Sequence, residues 1–124
     1  VSVASGIECS EEEVYVKFAK YSNGWPQEES WEIYYGTTRL YSSPGLPNGS
    51  WKTIETCLPV VPNYQYVLYL KDSSDSWSNG AQLVISGSQG NIFFKNYMRK
   101  IHMETHTLSL YYGFKKEYMD LYPN

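Results

Sequence analysis

The sequence predicts an all-β fold: an antiparallel β-sandwich, jelly-roll-like, of about eight strands. Three observations carry this. Apolar residues recur at every second position through most of the chain. Clusters rich in Gly, Pro, Asn, Asp and Ser interrupt that alternation roughly every 8–14 residues, the rhythm of sandwiches and jelly rolls. No stretch sustains a 3.6-residue period between helix caps. Alternation in nearly every strand also says that one face is buried and one is wet, as in antiparallel sheets.

The strands follow in order. "EVYVKFAKY" sets Val14, Val16 and Phe18 on one face and Tyr15 and Lys17 on the other. "SWEIYYG" sets Trp31, Ile33 and Tyr35 against Glu32 and Tyr34. The shorter segments "TRLYS" and "KTIETCL" come next. "YQYVLYLK" then aligns Tyr64, Tyr66, Leu68 and Leu70, and "AQLVIS" sets Ala81, Leu83 and Ile85 inward. "NIFFKN" is short, and "TLSLYYG" closes the series with Leu108, Leu110 and Tyr112 inward. "KNYMRKIHMET" reads as a long loop or a single helical turn. Glu11, Glu12 and Glu13 form the one charge run, expected to cap the first strand.

At 124 residues the chain is expected to form one sandwich domain over 1–124, with segments 1–8 and 115–124 as assembly tails. The net charge of −3, with basic residues scattered, argues against a nucleic-acid partner. No window approaches the roughly 18 apolar residues of a membrane helix, so membrane insertion is not expected. The sequence has neither an initiator Met nor a signal segment, and it reads as a processed protein or a piece of a longer one. Cys9 and Cys57 are the only cysteines, the minimal count for one disulfide, whose closure would be worth about 4 kcal/mol. Asn48-Gly49-Ser50 is an N-glycosylation sequon in a turn-rich stretch. Cysteine pair and sequon together predict an extracellular or cell-surface glycoprotein.

Catalytic patterns are sparse. His102 and His106 flank the last strand without the H-E-x-x-H spacing of zinc proteases, and they read as surface histidines. No G-x-S-x-G elbow or Gly-rich phosphate loop occurs. The expectation is that the chain is not an enzyme. The 13 Tyr and 4 Trp exceed what one core of this size hides, so several rings belong on outer faces or rims. That excess fits either cross-strand pairing or a contact surface.

One stretch carries a resemblance. "CLPVVPNYQYVLYLKDSSDSWSNGAQLVI" resembles an extracellular microbial β-sandwich surface domain with the pattern C-L-P, Tyr, alternating Leu, D-S-x-G-D-[GS]-W, then Gly-Ala. Upstream "SWEIYYG" and downstream "GNIFFKNYM" and "TLSLYYG" are similar to its neighbouring strands, so the likeness spans about residues 9–114. Cys57, Leu58 and Pro59 match C-L-P; Asp72, Ser73, Asp75 and Trp77 match the loop; Gly80 and Ala81 match Gly-Ala. The glycine before the second Asp is missing here, since only Ser74 separates Ser73 from Asp75. The loop is expected to be a structural turn through Asp72, Ser73, Asp75, Trp77 and Gly80. Calcium on Asp72 and Asp75 is the weaker alternative, because calcium takes about 6–8 oxygens and no other cofactor is expected.

The resemblance implies a non-catalytic structural or adhesive module of a fibril, appendage or matrix protein. Its expected partners are copies of itself or neighbouring modules, with Val1 and Val3 as an assembly strand. The alternative is a carbohydrate-binding module that stacks glycans on Trp25, Trp51 or outer-face tyrosines, with calcium support.

Overall fold

Strand β1 (Glu13–Tyr21) is buried at every second residue, and the rest of the architecture is built against it. The computed structural model describes residues 7–22, 24–46, 51–77 and 80–110. Val1, Val3, Asn48, Tyr112 and the tail 115–124 lie outside the described residues. Ser10 turns the chain into β1: its hydroxyl accepts the Glu12 N–H at 3.2 Å, and its own N–H donates to the Glu13 carboxylate at 2.9 Å. The acidic run thus supplies one capping carboxylate.

Seven further strands follow: β2 (Glu29–Tyr35), β3 (Thr38–Ser42), β4 (Trp51–Pro59), β5 (Gln65–Asp72), β6 (Gln82–Ser86), β7 (Ile92–Asn96) and β8 (Met103–Ser109). One-turn 3-10 segments at Pro26–Glu28 and Pro62–Tyr64 precede β2 and β5. Each opens on a proline, whose fixed φ suits a first helical position. The predicted all-β sandwich is what forms. Two antiparallel sheets of four run in the orders β4-β1-β6-β7 and β3-β2-β5-β8. Hairpins join β2 to β3 and β6 to β7, and every other connection crosses between sheets. The Gly36-Thr37 hairpin needs its glycine, which sits at φ +59. Register slips in both hairpin pairings, at Ile33/Tyr34 and Ile85/Ser86, mark bulges beside the edge strands β3 and β7.

The core is what the alternation predicts. Val14, Val16 and Phe18 from β1, Leu83 and Ile85 from β6, face Trp31, Ile33, Tyr66, Leu68, Leu70 and Leu108 from the second sheet. Phe18 stacks on Tyr41 at 4.6 Å and tilts against Trp31 at 5.4 Å, so an aromatic cluster spans both sheets. The Tyr41 hydroxyl is buried without a hydrogen-bond partner, and burial pushes its pKa up to about 12.

Three expectations need correction. Tyr35 closes the alternation of β2 at an exposed position, because it borders the hairpin turn. Tyr64 sits in the 3-10 turn at φ 54 rather than in β5. "KNYMRKIHMET" is neither wholly a loop nor a helical turn: its last residues begin β8. His106 therefore lies inside the last strand and half-buried, while only His102 is at a surface turn, at φ 71.

Candidate functional site

Cys9 and Cys57 form the expected disulfide, with an S–S distance of 2.03 Å and Cα atoms 5.6 Å apart. Cys57 lies on edge strand β4 opposite Tyr15, near the start of β1. The bridge therefore binds the segment entering β1 to the rim of one sheet. Its partner at the other end of β1 is ionic.

There Lys20 continues the inward face of Val14, Val16 and Phe18, and it is 1% exposed. Its ammonium donates to Glu29 at 2.6 Å, to the Ser22 hydroxyl at 2.5 Å and to the Tyr21 carbonyl at 3.1 Å. The Ser22 hydroxyl donates to the same Glu29 oxygen at 2.9 Å. Trp77 covers the cluster, its ring 4.3 Å from the Lys20 nitrogen. Burial pulls the Lys20 pKa below its ordinary value, while the Glu29 hydrogen bond and the charges of Glu29 and Asp72 oppose that pull. All donors and acceptors point inward, so the cluster is a clamp between the sheets rather than a reactive group open to a substrate.

The loop after β5 is fastened on three sides. Asp72 is buried, and its Oδ1 accepts the N–H groups of Ser74 at 2.9 Å and Asp75 at 2.8 Å. Such an Asx turn substitutes side chain for backbone and does not require the missing glycine. Ser73 donates to the Glu28 carbonyl, Asp72 to the His102 carbonyl, and His102 to the Asp75 carbonyl, each at 3.0 Å. Trp77 is 3% exposed and donates its indole N–H to the Lys71 carbonyl at 2.9 Å. Gly80 takes φ +81, which favours glycine at the exit of the loop.

Carboxylate oxygens of Glu28, Asp72 and Asp75 lie within 4.8 Å of one another, one residue more than the calcium expectation named. They fit a hard cation incompletely. One Asp72 oxygen is already committed to the turn, and three carboxylates leave about half of a calcium shell to other groups.

The predicted stacking residues sit apart. Trp51 is 51% exposed at the start of β4 and tilts against Tyr21 at 5.7 Å. Trp25 is 57% exposed ahead of the first 3-10 turn, and no described ring contact joins it to Trp51. A second polar pair escaped the sequence reading. Glu104 on β8 points inward, accepting His106 Nε2 at 2.9 Å and the Arg99 N–H at 3.3 Å. Phe94 meets the His106 ring edge-on at 5.0 Å. Strict alternation through Leu108 could have found it, because Glu104 and His106 share the inward parity of that leucine.

Fold and site together define a two-sheet sandwich fastened by one disulfide and one buried ion cluster. Comparison with protein-family models, curated proteins and solved structures found no match, so the resemblance rests on the quoted motifs alone.

Proposed function

We propose that the chain is a non-catalytic structural or adhesive module of an extracellular or cell-surface assembly, joined to copies of itself or neighbouring modules by strand addition. The observation that carries this reading is the anchoring of Cys9 to edge strand β4. Edge strands present unpaired N–H and C=O groups that template further strands. The bridge fixes Cys9 at such an edge, and the alternating segment "VSVASG" shortly precedes Cys9 in the sequence. A disulfide also fits an oxidising compartment, where it persists, and a glycan on Asn48 suits the same location. Among the described residues no helix is long and apolar enough to cross a membrane.

Deleting residues 1–6 tests the assembly. Light scattering and negative-stain microscopy should show smaller particles than the full chain forms. Unchanged particle size discards strand addition through this segment. Carbohydrate binding remains the second reading, favoured by the exposure of Trp25 and Trp51. Glycan-array binding lost on Trp51→Ala would establish it.

A further inference from the structure

The outer face of the second sheet carries a groove that neither the loop motif nor the exposed tryptophans mark. Glu32, Tyr34, Gly36, Thr37, Tyr69 and Lys71 line a concavity of about 310 Å³, with Met103 closing one end. Small-molecule clefts begin near that size, at about 300 Å³. Three strands contribute to it, with Glu32 directly opposite Tyr69 and Lys71 opposite Met103. From the Lys71 row to the Gly36 turn the groove crosses some six residue levels, or roughly 20 Å at strand spacing. It is long rather than round.

We propose that this groove binds a neutral oligosaccharide. Tyr34 and Tyr69 meet at 5.1 Å with their planes at 84°, so they form a corner that offers an apolar wall to the C–H face of a sugar ring. Hydroxyl groups both donate and accept, and the lining supplies one partner for each role. Glu32 accepts and Lys71 donates. Glu32 lies on the floor with its side chain 12% exposed, and its Oε1 has no hydrogen-bond partner. That oxygen is itself buried with Lys71 Nζ 3.0 Å away, so a ligand O–H would reach the Glu32 carboxylate at Oε2, which Arg39 faces at 3.6 Å.

Two other ligand classes fit less well. Glu32 is shared by Lys71 and Arg39, which leaves one net positive charge beside the groove where an anionic ligand would need a cluster of them. An extended peptide would bind by adding a strand, yet β2 and β5 are paired on both sides and their backbone groups are spent. Recognition on this face must come from side chains. The site is separate from Trp25 and Trp51 and does not depend on the assembly reading.

The test uses the full chain and two probes. A glycan array of neutral and acidic oligosaccharides selects a ligand, and amide NMR titration with that oligosaccharide maps it. The expected result is binding to neutral glycans, with shifts centred on Glu32, Tyr34, Tyr69 and Lys71. Glu32→Gln and Tyr69→Ala should each weaken binding roughly tenfold, the worth of one good hydrogen bond or ring contact. Both variants should keep the wild-type melting temperature, and Lys71→Met checks the same site if either fails to fold. No neutral glycan bound, binding confined to acidic glycans, or shifts centred on Trp25 and Trp51 would each overturn the proposal. Failure here leaves the particle size of the 1–6 deletion unaffected.

Discussion

Lys20 shows how much one side chain can decide. Its alternation places it on the inner face, and its chemistry would normally keep it out. Desolvating an ammonium is costly, and Glu29 and Ser22 offset that cost only as a set. Removing one partner strands the other. Lys20→Met should therefore destabilise the fold by about 3–5 kcal/mol, whereas Lys20→Met with Glu29→Leu should recover most of the loss. Urea denaturation of the two single variants and the double variant measures that coupling; additive losses would show that the pair is not a unit. The sequence contained the parity of Lys20 but not its burial, because lysine at a strand end reads as the solvent boundary. Asp72 was legible for a different reason. An Asp followed by Ser, Ser and Asp carries its own turn chemistry, and the two N–H groups it accepts are local.

Among the elements, β8 departs furthest from expectation. Its first residues, "METH", lack alternating apolar side chains, so the sequence marks the strand only from Thr107. Register with β5 defines it instead, from Lys71 opposite Met103 to Gln65 opposite Ser109. It is an edge strand, and an inward-pointing charge is one device by which natural edges discourage unwanted pairing. Glu104 supplies such a charge. Burial raises its carboxyl pKa, but the His106 hydrogen bond and charge and the N–H groups of Arg99 and Lys100 outweigh burial and hold it below its ordinary value of 4.5. A carboxyl depressed by folding adds stability above its unfolded pKa and loses it as pH falls through the folded value. The wild-type chain should thus lose stability as pH drops below about 4.5, and Glu104→Gln should flatten that slope. Urea midpoints across the acidic range test this. Equal slopes in both proteins would remove Glu104 from the account. The groove on the opposite face of the same sheet was hidden for a related reason, since it depends on β2 lying beside β5.

Across the whole molecule, the alternation of strands and the position of turns made the sandwich legible, while the order of strands within sheets was not. Alternation says which face is buried and nothing about the neighbour. The disulfide was legible because two cysteines allow one pairing. It closes a separation of 48 residues, for which chain entropy gives about 4 kcal/mol. Reduction should lower the melting temperature clearly, as read by circular dichroism with and without dithiothreitol. EDTA in the same assay should leave it unchanged, since Asp72 holds its turn through N–H groups; a fall with EDTA would instead assign a cation to Glu28, Asp72 and Asp75.

The described chain enters and leaves the sandwich at the same end. Glu13 begins β1 opposite Pro59, and Leu110 follows β8 hydrogen-bonded to the Tyr64 carbonyl a few residues beyond that proline. Tension applied through these two points would pull β1 and β8 from one rim and peel their ladders bond by bond, instead of shearing whole strands at once. In a row of such units, each would hang from the line of force as a pendant rather than lie along it as a link. Cys9 would take the first pull on the entering side and pass it to β4 before β1 felt it.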